Sequence, residues 1–294
     1  RDTVFMVEML HEVLPRLYHP QQLRRNFQRR LALQFPDNLE FVRYHFLHSQ
    51  RDVPEREEKT EAMMNRMRHA AMIFGVTEQS QPVVEALYLE YLDALNTHFE
   101  CYPYLLGWRP CVGDFGLLAP MYAHLGRDPY PARLMQQRAP AVYRWVERMN
   151  REDQDAAEFF NASSDFLAND EIPETLIPVL KILAEDFVPE TLAAAELINS
   201  WLAEHQPQSG TVAVGRLAEA LGTADFSVQG ETITALAQPH RFFLLQRVQD
   251  AFTELSDEKQ TEISALLEAC GMKSLLAAGL SRRVVRSENL EVWQ

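Results

Sequence analysis

The sequence predicts an all-α fold, and three observations support that class. Glycine contributes only 11 of 294 residues while hydrophobic residues make up 47%, as in soluble helical proteins. Apolar side chains recur three and four residues apart through most of the chain, which is the helical period. Residues 115–125 carry almost no charge, and a helix that is apolar on nearly every side is usually buried. We therefore expect the other helices to pack around this one.

The charge and cysteine content exclude several classes of function. A net charge of −14 argues against a nucleic-acid-binding surface, which needs a basic stripe, and against binding to acidic membranes. Three cysteines without paired spacing indicate a reducing compartment. No apolar run approaches the roughly 20 residues of a membrane span. We expect a cytoplasmic protein. The local basic exception has the pattern of a solvated helix face: Arg24, Arg25, Arg29 and Arg30.

Several helical segments are predicted before the buried one. Residues 2–14 have apolar side chains four apart and end at Pro15, and residues 18–49 form a second run that Pro36 must break or bend. A charged connector then leads to a helix that ends at Gly75. The clearest amphipathic pattern follows and predicts a set of buried residues: Val84, Leu87, Tyr88, Tyr91, Leu92 and Leu95.

Beyond the buried helix, residues 131–138 and 140–149 predict two short helices with an apolar inner face. Residues 151–169 are polar and irregular, which indicates a domain boundary. Two further helices are expected at residues 173–186 and 189–205, because each segment has a proline near its first turn.

The last third of the chain leaves one region open. Residues 217–221 are compatible with a helical turn, whereas residues 226–233 alternate around a glycine and are compatible with a small hairpin. Residues 239–255 and 257–270 again have a helical pattern. The tail, residues 282–293, mixes valines with charges and is expected to run extended along the surface.

The start of the buried helix has the spacing of a capping box. Asp114 lies three residues after Cys111, where a carboxylate accepts a hydrogen bond from the N-cap backbone N–H. A thiol caps a helix poorly, so we expect a one-sided box. A helix N-terminus also lowers the pKa of a thiol. Cys111 is therefore either a reactive thiol or an inert capping residue, and its place in a structural position favours the inert role.

The loop before the buried helix carries a motif made of Tyr104, Leu105, Gly107, Pro110 and Asp114. Together with the helix, this motif resembles the C-terminal helical domain of the glutathione transferase superfamily, which usually has Ser or Thr where this chain has Cys111. The resemblance continues downstream at Arg127, Asp128, Pro129, Val142, Trp145 and Met149.

The resemblance implies a division of the chain. Residues 1–15 would be the last helix of a thioredoxin-like domain whose remainder is missing from this sequence. Residues 16–150 would form the helical domain. Residues 151–294 would form a helical extension, similar to that of longer glutathione-transferase-like proteins.

The resemblance also implies where glutathione and a second substrate would bind. In the superfamily an acidic residue followed by Ser or Thr holds the γ-glutamyl end of glutathione, and Asp2 and Thr3 resemble that pair; an ordinary helix N-cap is the alternative. The thiol-activating residue lies earlier in the thioredoxin-like domain, so no nucleophile is named. Candidates for an electrophile pocket, each also explicable as a packing residue, are Tyr44, His45, His48, Trp108 and Tyr122.

His45 and His48 are three residues apart and could share a metal ion. No third ligand follows at a useful spacing, so we expect no metal.

The function that the resemblance implies is a glutathione-dependent transferase, with glutathione as co-substrate. The thiolate of glutathione would attack a small hydrophobic electrophile held against the helical domain, and a homodimer is a possible assembly. Two alternatives stay open because one fold hosts several functions. The first is a non-catalytic scaffold that binds a protein partner through its acidic surface and extension. The second is a carrier of apolar ligands.

Overall fold

The computed structural model describes residues 36–151, 156–160, 163, 165–168, 171–213 and 220–294. Within these ranges the protein is mostly helical, with two small antiparallel sheets. The predicted all-α class is therefore right for the dominant structure, but it omits the sheets. The predicted helix at residues 2–14, the first half of the run at 18–49 and most of the open segment at 217–221 lie outside the described residues.

Nine helices are described, and four short strands lie between and after the last of them. They are α1 (Pro36–Ser49), α2 (Arg56–Ile73), α3 (Ser80–Cys101), α4 (Val112–Pro120), α5 (Pro129–Arg138), α6 (Pro140–Met149), α7 (Leu176–His205), α8 (His240–Thr253) and α9 (Asp257–Ala269). A π-helical turn, Met121–Leu125, continues α4, and a 3₁₀ turn, Lys273–Leu276, follows α9. The strands are β1 (Thr223–Val228), β2 (Glu231–Leu236), β3 (Val284–Ser287) and β4 (Leu290–Trp293).

Helix α3 forms the centre of the core. All six apolar residues that its pattern predicted to be buried are buried, and so is Phe99, whose ring stacks on Trp145 of α6 at 4.8 Å between centroids. The start of α3 is fixed by Ser80, whose hydroxyl donates to the carbonyl oxygen of Gly75 at 2.7 Å. Helices α6 and α7 both pack against α3, so the centre of the bundle is α3 and not the segment 115–125, around which the other helices were expected to pack.

Helix α7 corrects the prediction of two helices between residues 173 and 205. It is a single helix of 30 residues with Pro189 inside it. The proline removes one backbone donor, and the hydroxyl of Thr191 donates to the carbonyl oxygen of Phe187 at 2.6 Å in the same turn. The helix continues because α3 and β1 both pack along it, and this burial outweighs the cost of one lost hydrogen bond.

Residues 223–236 form the hairpin that the alternating pattern at residues 226–233 suggested. Strands β1 and β2 pair with Phe226 opposite Ile233, and both side chains are buried. The hairpin packs on α7 and also reaches α2 and α3. Gly75 marks this contact, because a Cβ atom there would lie 2.4 Å from Cγ2 of Ile233. The core is one cluster that runs from Val84 to Trp293, so the described part of the extension shares it with the helical domain.

The tail is extended, as predicted for residues 282–293, but it turns back on itself and its two ends are buried in the core. Strands β3 and β4 form a hairpin whose inner residues, Val284 and Trp293, are fully buried. The backbone of Trp293 also exchanges hydrogen bonds with Gly210 and Thr211 at 2.8 and 2.9 Å. The sequence did not predict the burial of Val284 and Trp293, because a strand pattern alone does not show which sheet or helix the strand will pack against.

Candidate functional site

A buried carboxylate fixes the loop and the start of α4. Oδ2 of Asp114 accepts a hydrogen bond from the backbone N–H of Cys111 at 2.9 Å. Its Oδ1 accepts two more, from the backbone N–H of Leu105 at 3.1 Å and from the indole N–H of Trp145 at 3.0 Å. Burial raises the pKa of Asp114, whereas the hydrogen bonds from its neighbours lower it. The three donors hold the loop, α4 and α6 in one arrangement.

Cys111 occupies the N-cap position of α4, as its spacing predicted. Its thiol is buried and the N3 backbone N–H points to it, so the capping box with Asp114 has both of its contacts, which corrects the expectation of a one-sided box. Burial and the neighbouring carboxylate raise the pKa of the thiol well above its usual value. A thiol with a raised pKa carries little thiolate at neutral pH, so this geometry supports the inert capping role.

Helix α4 is buried on one side only, which corrects the expectation of a helix surrounded by others. Val112, Phe115 and Tyr122 are 57%, 59% and 41% exposed. They lie three and seven residues apart, on one helical face. The opposite face is buried and includes Leu117 and Asp114. We call the surface formed by Val112, Phe115 and Tyr122 the exposed α4 face. It is an apolar surface on a helix whose opposite side is buried in the core.

A cation lies at the end of this face. The guanidinium carbon of Arg127 is 5.5 Å from the centroid of the Tyr122 ring, within the range of a cation–π contact. Tyr122 belongs to the π-helical turn that follows Pro120, and π-helical turns are frequent at functional sites. The exposed α4 face therefore combines aliphatic and aromatic side chains with one positive charge.

The other electrophile-pocket candidates lie elsewhere. Tyr44 and His48 stack on each other on α1, with ring centroids 6.5 Å apart, and His45 contacts Phe46. All three candidates on α1 are exposed. Within the described ranges, no hydrogen bond, ion pair or ring contact connects them to Tyr122. Tyr44 and His48 are thus brought together, but no contact shows that they share a site with Tyr122.

Trp108 belongs to an aromatic cluster at the loop. Its ring contacts Tyr102 at 5.6 Å and Phe159 at 6.2 Å between centroids, and it is half-buried. Phe159 comes from the segment predicted to be a domain boundary, which also pairs Phe166 with Gly107. The packing explanation for Trp108 therefore has direct support, because its ring contacts two neighbouring aromatic rings.

The sequence reasoning missed Arg148, which supports the same loop from α6. Arg148 is almost completely buried, donates to the carbonyl oxygen of Pro103 at 2.9 Å and pairs with Glu158 at 3.0 Å. Its guanidinium also lies over the rings of Tyr104 and Phe159. Burial lowers the pKa of Arg148, although the charge of Glu158 opposes that effect. No local signal in the sequence distinguishes Arg148 from a solvated helix residue.

His98 holds the loop from the other side and was also missed. It is fully buried on α3, with Nδ1 2.9 Å from the Thr175 hydroxyl and Nε2 3.3 Å from the carbonyl oxygen of Tyr104. Burial lowers its pKa to about 4, while the bond to Tyr104 acts in the opposite direction. A neutral ring that donates from Nε2 and accepts at Nδ1 satisfies both contacts. His98 therefore connects the loop to the start of α7.

Asp2 and Thr3, the glutathione-binding candidates, lie outside the described residues. In the part of the chain that is described, no three side chains of His, Cys, Asp or Glu are close enough to hold one metal ion. Nor does any helix in that part have the length and apolar character needed to cross a bilayer. In comparisons with family models, curated proteins and solved structures, nothing matches this chain.

Proposed function

We propose that this chain provides the apolar-ligand side of a glutathione transferase-like protein. The observation that carries the proposal is the exposed α4 face: an apolar surface on the one helix whose start is fixed by the buried Asp114. A ligand surface works best on a rigid element, because a bound substrate must be held in a fixed position relative to its attacker. The loop motif from Tyr104 to Asp114 supports the likeness to the superfamily.

In the proposed reaction the thiolate of glutathione forms a carbon–sulfur bond with a hydrophobic electrophile, whose leaving group departs with the bonding electrons. Val112 and Phe115 would hold the apolar part of the electrophile, and the Tyr122 hydroxyl could donate a hydrogen bond to a polar substituent on it. Glutathione would be bound mainly by a thioredoxin-like domain, with Asp2 and Thr3 at its γ-glutamyl end. A homodimer is part of the same proposal.

The test is steady-state conjugation of glutathione to an aryl halide by the full-length protein. Phe115→Ser should raise KM for the aryl halide about five- to tenfold, because an apolar contact worth about 1 kcal/mol is lost, while KM for glutathione stays constant. Met72→Ser is the matched control, since Met72 is equally exposed but lies on α2. Conjugation that is absent, or that responds equally to both substitutions, would contradict the proposal.

The same experiment separates the alternatives. A full-length protein that binds apolar dyes but forms no conjugate would be a carrier. A protein that shows neither glutathione binding nor dye binding would be a scaffold, and its protein partners would then be sought. Calorimetric titration of glutathione, with Asp2→Ala alongside, decides between the enzyme and the scaffold. We expect Asp2→Ala to weaken binding by about 1 kcal/mol or more, as for the loss of a charge-assisted contact.

A further inference from the structure

Two arginines attach the tail of the chain to helix α8. The guanidinium carbon of Arg286 lies 5.6 Å from the centroid of the Phe243 ring. The guanidinium of Arg283 donates to both carboxylate oxygens of Asp250, to one of them at 3.0 Å. Phe243 and Asp250 are about two helical turns apart, which is roughly 10 Å along the axis of α8. The two arginines are therefore fixed at opposite ends of this stretch of the helix.

A third arginine, Arg247, lies between those two contacts. It follows Phe243 by one helical turn and precedes Asp250 by another, so the three side chains share one face of α8. Arg247 and Arg286 are both exposed. Among the described residues no carboxylate lies within ion-pairing distance of either, whereas Arg283 is paired with Asp250. We call the surface formed by Arg247, Arg283 and Arg286 the tail basic patch.

The tail basic patch has a local excess of positive charge. Its three cations face one carboxylate, that of Asp250. Glu291 lies opposite Arg286 in the β3–β4 hairpin, but its carboxylate is paired with His240. The whole chain carries a net charge of −14, so most of its surface repels an anion. An anionic partner is attracted only where cations outnumber carboxylates, and this surface meets that condition.

The geometry of the patch suits an extended peptide. The contact with Phe243 holds the Arg286 side chain but leaves its N–H donors available, because a cation–π contact uses the face of the aromatic ring. A side chain that is already held loses less conformational entropy on binding. Phe243, which holds Arg286, and Arg247 are one helical turn apart, about 6 Å along the axis. Alternate residues of an extended peptide are about 7 Å apart, so two of their carboxylates match this spacing.

Carboxylates limit the patch at both ends. Glu254 follows Asp250 by one helical turn, and Glu288 follows Arg286 in the turn between β3 and β4; both glutamates are exposed. A long polyanion such as a nucleic acid, or an acidic bilayer, would extend beyond the arginines and meet these carboxylates. A short acidic segment would contact the arginines alone. The charge pattern therefore favours a protein segment over a nucleic acid or a membrane.

We propose that the tail basic patch binds a short, extended, acidic segment of a partner protein. Carboxylates on alternate residues of that segment receive hydrogen bonds from Arg286 and Arg247, and Arg283 adds its charge beside them. The inference does not rest on the proposed transferase function, because it involves no residue of the exposed α4 face. It gives the extension a binding surface of its own.

The test is a fluorescence-anisotropy titration of the full-length protein with two labelled peptides. One peptide consists of glutamates between two glycines, and the other has glutamines in their place. We expect the glutamate peptide to bind about tenfold more tightly at low salt, with a smaller preference at about 0.5 M salt because exposed charges are screened. Arg247→Gln combined with Arg286→Gln should reduce the preference to within about twofold without changing the binding of the glutamine peptide.

Arg247→Gln alone keeps the test informative if the loss of Arg286 disturbs the tail, because the contact between Arg286 and Phe243 is then intact. This single variant should keep a preference of about threefold, as expected when one of two charge-assisted contacts is lost. The matched control removes the same charge from α2, where Arg56 and Arg66 are exposed. Arg56→Gln combined with Arg66→Gln should retain the preference.

Four results would overturn the inference: neither peptide binds, the wild type binds both equally, the double variant at the patch keeps the preference, or the control on α2 loses it to the same extent. A single-stranded DNA oligonucleotide serves as the probe for the other class of partner. If it bound more tightly than the glutamate peptide, and through Arg247 and Arg286, the assignment of a protein partner would be overturned.

Discussion

The indole N–H of Trp145 donates a hydrogen bond to Oδ1 of Asp114 at 3.0 Å, across 31 positions of sequence. The same carboxylate accepts hydrogen bonds from the loop at Leu105 and from the N-cap at Cys111. One side chain therefore sets the position of α4 relative to α6. The exposed α4 face keeps its place because the opposite side of its helix is attached in this way.

We expect Asp114→Ala to lower the free energy of unfolding by about 3 kcal/mol or more, because three buried donors lose their acceptor. Asp114→Asn should cost less, since its remaining oxygen can still accept. Urea denaturation measures both. Asp93→Ala is the control: Asp93 forms an exposed ion pair with Arg138, and its loss should cost about 1 kcal/mol or less. Equal effects at the two positions would contradict the anchoring role of Asp114.

The stability of the protein should fall on acidification through His98. Its pKa is lowered to about 4 in the fold, from 6.5, so the unfolded chain takes up the proton first as the pH falls below 6.5. The loss of stability runs from that pH down to about 4 and should reach about 2 kcal/mol at pH 5.

His98→Gln removes the titrating group, so the difference in unfolding free energy between the variant and the wild type should shrink as the pH falls from about 7.5 to about 5. Denaturant titrations at both values measure this change and cancel the contributions of other carboxyl groups. A difference that is independent of pH would show that His98 does not titrate in this way.

Gly75→Ala should destabilise the protein strongly. The new Cβ atom would meet Ile233 and the backbone of Thr234 at 2.4 and 2.8 Å, and φ at this position is +81°. Gly210 has a similar φ of +87° but nothing within 4 Å of its Cβ position. Gly210→Ala should therefore cost about 1 kcal/mol from backbone strain alone, and Gly75→Ala at least about 1 kcal/mol more from overpacking.

Thermal or urea denaturation of the two variants gives this difference directly. Similar losses of stability in the two variants would show that the β1–β2 hairpin does not pack tightly against Gly75 at the end of α2.

The buried ion pair between Arg241 and Glu190 should be sensitive to the removal of either charge. The two groups are 2.8 Å apart and almost completely buried, and Arg241 also donates to the Thr191 hydroxyl and lies over the ring of Phe187. Arg241→Met should cost about 3 kcal/mol or more, because the buried carboxylate of Glu190 loses the charge of Arg241, and Thr191 loses a hydrogen-bond donor.

Arg283→Met is the control for that substitution. Arg283 pairs with Asp250 at an exposed position, so the cost should stay below about 1 kcal/mol. Urea denaturation compares the two, and a loss below about 1 kcal/mol for Arg241→Met would contradict the importance of the buried pair.

The spacing of apolar residues determined most of the helices by itself. The buried face of α3, the start of α4 at Cys111 and the hairpin at residues 226–233 are all where the local pattern indicated. These features depend on residues within a few positions of one another, so the chain carries their signal locally.

Tertiary structure decided what remained. The continuation of α7 through Pro189 depends on packing along both halves of the helix, and the burial of Trp293 depends on its contact with residues 210 and 211. The exposed α4 face is made of apolar side chains although the buried side carries Asp114, so only the placement of distant helices decides which side is buried. Burial of a side chain is a relation between elements far apart in sequence, and a local period determines only which residues share a face.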